Sequence, residues 1–275
     1  AAAFALLALA ILLGVAIGEP SLSPTLVWQV LANQLAGAHY PVDPIDQGIV
    51  WNYRLARALV AASCGAGLAI SGVILQSLLR NALAEPYLLG ISAGASTGAV
   101  LVSVAVLGAG AISMTTGAFF GAVCAFALVA LLAHAAGSGG LRNSAQIVLA
   151  GIAGSQLFNA LTSLIITKSG SAEQARGIMF WMLGNLSGVR FSDTLLTTGI
   201  AVAGMAVCLW HARALDAFTF GSESAAVLGV AVRRVQLVLL LVAALITAVM
   251  VSIVGAIGFV GLVIPHAARF MVGVR

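Results

Sequence analysis

Residues 54–98 read RLARALVAASCGAGLAISGVILQSLLRNALAEPYLLGISAGASTG, and this stretch decides the fold. Between Arg57 and Arg80 lie twenty-two residues without a charge. That is the length a helix needs to cross a hydrocarbon core of about 30 Å at about 1.5 Å per residue. The arginines therefore bracket a membrane span. A short polar break follows, holding Arg80, Asn81, Glu85 and Pro86. Then Gly90, Gly94 and Gly98 recur every four residues, which aligns positions without side chains on one helix face and lets a neighbouring helix bring its backbone close.

Composition extends this reading to the whole chain. Of 275 residues, 61% are hydrophobic and 7% charged, and the mean hydropathy is +1.13, far outside globular usage. The 31 glycines suit tightly packed spans, and long uncharged runs argue against a barrel, whose strands alternate at period two. The fold class is an all-α integral membrane protein, a polytopic helical bundle forming one transmembrane domain over residues 1–275. The 12 basic residues are scattered singly between apolar runs and mark span boundaries, which excludes a nucleic-acid surface. Cys64, Cys124 and Cys208 lie inside apolar runs without CxxC spacing and read as buried small residues. The apolar run at Ala1 reads as a clipped first span and not a signal peptide.

Taken in order, the spans run over about 4–17, 51–79, 92–107, 117–136, 145–167, 194–210, 237–252 and 256–271. The acidic, proline-rich segment 19–50 belongs in water or at the interface. Residues 177–193 form a short amphipathic or re-entrant piece, and 211–236 is the longest polar interruption of the second half. Eight spans place Arg80, Arg142, Arg213, Arg233, Arg234, Arg269 and Arg275 on one side and Arg54, Arg57, Lys168, Arg176 and Arg190 on the other. The excess of the first set assigns the 211–236 loop to the cytoplasm.

Several chemistries are disfavoured. A phosphate-binding loop needs glycines before a Lys, and around Lys168, the one lysine, Thr162 and Thr167 occupy those places. Leu186-Ser187-Gly188 is a turn and not an ATPase signature. Gly90-Ile91-Ser92-Ala93-Gly94 matches GxSxG, with His266 or His134 as conceivable base, but it follows a helix and no strand. His39, His134, His211 and His266 show no metal-ligand spacing, so no metal site is assigned. The eight acids all fall at breaks, which counts against a proton-coupled transporter with intramembrane relays. Arg54 and Arg57 stand three apart at a span mouth, either as snorkelling residues or as bidentate sites for carboxylates of an external partner. Gln156 and Asn159 in the fifth span face other helices or a water-filled path.

Arg54-Leu55-Ala56-Arg57, the run SGVILQSLLRNALAEPYLLGISAGASTGAVL from Ser71 and the run GAIGFVGLVIPHAAR from Gly255 resemble, in matching order, the permease family of binding-protein-dependent ABC importers for iron–siderophores, haem and cobalamin. Ala56 stands where that family has proline, and Ala82 where Asn-Pro-Leu-Ala is usual. The resemblance implies ten spans per subunit, of which this chain carries eight. It also implies a permease homodimer or paralogous heterodimer, two cytoplasmic ATPases that use ATP and magnesium, and a periplasmic binding protein. The chain itself binds no cofactor and is no enzyme. The resemblance further assigns Arg54 and Arg57 to binding-protein docking, and Phe218, Gly221, Glu223, Ala225, Leu228 and Gly229 to ATPase coupling. Asn143 and Ser144 match the cytoplasmic gate, with Gln156 and Asn159 on the path. An iron chelate, haem or ferric siderophore, crossing the bacterial inner membrane is the implied cargo, with cobalamin as the alternative.

Overall fold

The computed structural model describes residues 2–105, 113–136, 144–168 and 172–273. The described residues are helices and turns, with no strand among them. By packing, the chain divides into two compact units, Ala1–Cys64 with Leu186–Gly199 and Gly65–Asn185 with Ile200–Arg275. Each is taken by itself.

In the first unit, α1 (Ala2–Ala16) precedes the acidic segment, which is structured. Ser23 caps α2 (Pro24–Ala36) by accepting from the Leu26 amide, and Pro24 occupies the first turn, where no amide donor is needed. Gly37, at φ 65°, closes that helix in the left-handed conformation. Asp43 caps the single turn α3 (Pro44–Gly48). Ile49–Leu55 then winds as a π-helix directly into α4 (Ala56–Leu79). Val15, Val27, Val30, Leu31 and Val50 make the core of this unit. Trp51 stacks on Phe191 with centroids 5.7 Å apart, and the Ser63 and Thr198 hydroxyls share a hydrogen bond of 2.8 Å.

The second unit takes the rest of α4, a 3₁₀ turn (Pro86–Leu89), α5 (Ile91–Ala105), α6 (Met114–Ala135), α7 (Ser144–Thr167) and α8 (Ala172–Met182). It continues with the end of α9 (Phe191–Trp210), then α10 (Ala212–Thr219), α11 (Ser222–Val227), α12 (Val232–Val254) and α13 (Val260–Val272). Small residues set a close crossing between α5 and α6. A Cβ added at Gly94 would lie 2.4 Å from the Gly121 carbonyl oxygen, and one at Gly98 only 2.1 Å from that of Gly117. The α5 and α6 backbones are therefore in contact. Gly90 differs from this pair: it takes φ 74° and terminates the 3₁₀ turn, so its role is conformational. Thr97 ties α5 to α7 through the Phe158 carbonyl at 2.8 Å and the Thr162 hydroxyl at 2.7 Å.

Among the described residues, five helical stretches are long and apolar enough to cross a membrane: Pro44–Leu79, Met114–Ala135, Ala145–Thr167, Phe191–Trp210 and Val232–Val254. The other three expected spans are the shorter apolar helices Ala3–Ala16, Ile91–Val104 and Val260–Val272. The expected span 256–271 is shortened because residues 255–259 are not helical, with Gly255 at φ 78° and Phe259 at φ 66°. The interruption expected over 211–236 is largely helical, and Arg233 and Arg234 belong to the first turn of α12. Cys64 is buried as expected, whereas Cys124 is exposed on α6.

Substituting Gly98→Ala should cost about 1–3 kcal/mol, because the α5–α6 backbones leave no room for a methyl group. Gly199→Ala, with nothing within 4 Å of the added Cβ, should be neutral or slightly stabilising. Thermal unfolding in detergent distinguishes the two, and a Gly98→Ala protein that melts with its parent would remove the close-packing account.

Candidate functional site

Arg54 is 5% exposed. Its Nη1 donates to the carbonyls of Val15 and Ala16, each at 3.1 Å, and its Nη2 to those of Gly18 at 2.9 Å and Pro20 at 2.5 Å. The last carbonyls of a helix lack intrahelical donors and carry the negative end of its dipole. A guanidinium fork set among them satisfies both needs of α1. Its Nε is buried without a partner. Arg57 turns elsewhere, donating to the Leu186 carbonyl at 3.1 Å and more weakly to that of Ser187 at 3.4 Å, with its guanidinium 3.7 Å above the Tyr53 ring. The two guanidinium groups, three residues apart at the span mouth, thus have separate partners. The π-helix before α4 changes the number of residues per turn, so a spacing of three across the junction no longer aligns two side chains. Arg57 stays half-exposed, and Arg190, a few residues beyond the loop that Arg57 holds, is exposed.

A concave pocket of about 270 Å³ opens beside α7, lined by Glu85, Tyr87, Ile152, Ser155, Gln156 and Asn159 among others. Gln156 and Asn159 are therefore brought together. Asn143 lies outside the described residues, and Ser144 begins α7 with its side chain likewise outside the description. Glu85 and Tyr87 are pocket residues that sequence reasoning missed, although the polar break Glu85-Pro86-Tyr87 was the signal for them. The Glu85 carboxylate accepts the Phe259 amide at 2.6 Å, and the Tyr87 hydroxyl donates to the Ile257 carbonyl. Ser92 lies in the first turn of α5 after a 3₁₀ turn, so the strand-to-helix elbow of a serine hydrolase is missing around it.

The loop residues singled out around α10 and α11 split into two faces. Phe218, Gly221 and Ala225 are buried. Gly221 takes φ 108°, and a Cβ there would meet Arg80 Nη1 at 3.2 Å. Glu223, Leu228 and Gly229 face outward. Two further apolar residues of the same 218–229 run, Phe220 at 75% and Val227 at 89% exposure, face outward like Leu228 at 69%, and the three make up an apolar crest.

Residues 6–275 match the FecCD transport family. The chain is 40% identical over 260 residues to the cobalamin import system permease protein BtuC of Halobacterium salinarum, covering 92% of this chain and 68% of that one. It is 36% identical over 229 residues to the hemin transport system permease protein HmuU of Yersinia pestis, covering 82% and 67%. A solved structure described as an inward-facing conformation of a metal-chelate type ABC transporter superposes with a TM-score of 0.82 at 28% identity, over 98% of this chain and 80% of that one.

Replacing Arg54 by Ala should lower stability by about 2–3 kcal/mol, since several charge-assisted hydrogen bonds at the end of α1 are lost together. Lys should restore little, because an ammonium does not reproduce the planar fork. Arg57→Ala should cost clearly less. Melting temperature together with proteolysis of the segment after α1 checks this, and an Arg54→Ala protein as stable as its parent would contradict the capping role.

Proposed function

We infer the function from one premise: this chain belongs to the FecCD transport family. It is a multi-pass permease subunit of an ATP-binding-cassette importer, and ATP hydrolysis is the work of separate subunits. Such a permease works with ATPase partners and a substrate-binding protein. We propose that its cargo is a metal chelate, and in first place an iron chelate such as haem or a ferric siderophore. The similarity to a hemin permease and to a metal-chelate type transporter supports this. Cobalamin is the second reading, favoured by the 40% identity to a cobalamin permease.

The observation that carries the mechanism is the apolar crest of Phe220, Val227 and Leu228. Apolar side chains on a polar interruption between spans need a protein cover, and the ATPase is the partner of matching function. Buried Phe218 and Ala225 fix the crest to the bundle. The proximity of Gly221 to Arg80 supports the cytoplasmic side for both. In the proposed cycle the loaded binding protein docks through carboxylates from outside the membrane, where Arg57 and exposed Arg190 take the role that sequence similarity gave to Arg54 and Arg57. Substrate then passes along the Gln156 and Asn159 face of α7, on the axis of a permease dimer, homodimeric or paralogous. ATP and magnesium act in the partner subunits and shift α10 and α11, biasing inward-open against outward-open states. The cytoplasmic membrane, the inner one in a Gram-negative bacterium, is the site of action.

The test is uptake in proteoliposomes holding the permease, its ATPase and its binding protein, supplied in turn with haem, a ferric siderophore and cobalamin. ATP-dependent uptake of an iron chelate is expected, and uptake of cobalamin alone would select the second reading. The double charge reversal Arg57→Glu/Arg190→Glu should reduce uptake at least about tenfold, two ion pairs becoming repulsions, with the ATPase still bound. Undiminished uptake would sink the docking assignment. Val227→Asp should instead release the ATPase during purification while folding persists, since that side chain touches little else. Retention of a stoichiometric ATPase would count against the crest.

A further inference from the structure

The water end of α9 carries a feature that importer function does not use. Trp210, the last residue of that span, is 86% exposed, and an indole at a span end occupies the headgroup level of a bilayer. Beside it a groove of about 460 Å³ is lined by residues that include Trp210, His211, Arg213, Ala217, Leu228 and Val235. Its walls are mostly apolar, and its volume falls in the range of small-molecule sites, roughly 300–1,000 Å³. One cation lines it, and a second precedes a lining residue in the chain. Arg213 on α10 is exposed and lines the groove, and Arg234 on the first turn of α12 is exposed next to the lining residue Val235. Among the described residues, neither guanidinium has a hydrogen bond or ion pair. The acids of the adjoining helices, Asp216 and Glu223, are exposed and do not line the groove.

An unpaired guanidinium lining an apolar groove, a second exposed arginine one residue from the lining residue Val235, and an indole at the span end match one ligand class. We propose that this groove binds an anionic phospholipid. The headgroup phosphate lies between Arg213 and Arg234, where planar forks suit its oxygens, and the upper acyl chain rests against Trp210 and Val235. Basic pockets between span ends recognise anionic headgroups in this way, each arginine near the surface contributing about fivefold in affinity. The site borders α10, the helix that carries Phe218, so the lipid props the element through which the partner ATPase is felt. The binding claim itself stands without the cargo and docking readings.

The full chain, purified in mild detergent, is titrated with phosphatidylglycerol, phosphatidylcholine or inorganic phosphate. Retained lipid is read by native mass spectrometry, and stability by thermal unfolding. Phosphatidylglycerol should be retained in preference to phosphatidylcholine and raise the melting temperature. This preference should fade as salt screens the headgroup. Arg213→Gln/Arg234→Gln should weaken phosphatidylglycerol retention on the order of tenfold or more, whereas Arg213→Lys/Arg234→Lys keeps most of it. At about 100° per residue Arg233 lies nearly opposite Val235 on α12, so Arg233→Gln should leave retention unchanged. Equal retention of the two lipids, or undiminished retention by the Gln pair, overturns the site. Stabilisation by inorganic phosphate to the same extent as by lipid assigns it to a free anion and overturns it too. Loss of the ATPase with unaltered lipid retention hands the arginines to the protein partner and likewise overturns the lipid site.

Discussion

Lipid offers a broken helix neither donors nor acceptors, so backbone interruptions at membrane depth have to satisfy one another. That constraint organises the second unit. The chain is interrupted after α4, over 80–90, and again between α12 and α13, over 255–259. The two interruptions meet. Gln76 donates to the carbonyls of Ala84 at 3.4 Å and Gly261 at 3.3 Å and accepts from Arg269 at 2.7 Å. Glu85 takes the Phe259 amide at the start of α13, and Tyr87 supplies a donor to Ile257. The meeting needs backbone contact, and glycine permits it: a Cβ at Gly72 would lie 1.9 Å from the Gly261 carbonyl oxygen.

The same interlock explains why these runs look as they do. Gly261 faces Pro86 and the Leu68 carbonyl, while Gly255 is pressed against the Trp181 carbonyl, where any side chain would collide. The Asn185 amide in turn donates to the Val254 carbonyl at 2.9 Å, which serves the exposed end of α12. Packing around this knot buries most of α12. The pocket with Gln156 and Asn159 takes Glu85 and Tyr87 from one of the interlocked segments. A residue that holds the fold thus also lines the proposed path of the cargo, and the two duties are joined through Glu85.

The first unit answers the same constraint differently. There a side chain closes a helix end: Arg54 gathers the carbonyls that α1 leaves without donors. This explains how an arginine is buried at a span mouth where its charge would otherwise be costly. Arg57, three residues on, is left partly accessible because its acceptors lie in the 186–187 loop.

Much was legible without coordinates. Apolar runs of helical length depend on composition and rise per residue, which are local, so the all-α membrane class and most span positions could be read directly. The Gly94 and Gly98 spacing announced a close crossing, and the polar run at 211–236 announced the segment that carries the crest. What stayed hidden depends on partners distant in the chain. A change to π winding before α4 has no compositional signature, and it is what separates Arg54 from Arg57. The meeting of Glu85 with Phe259 joins positions far apart in sequence, and hydropathy carries no information about such pairs. Local hydrophobicity and glycine spacing determined that this chain crosses a membrane as a packed bundle. Only the tertiary structure decided which polar groups are consumed internally and which remain free, because that depends on where each unsatisfied carbonyl and amide comes to rest.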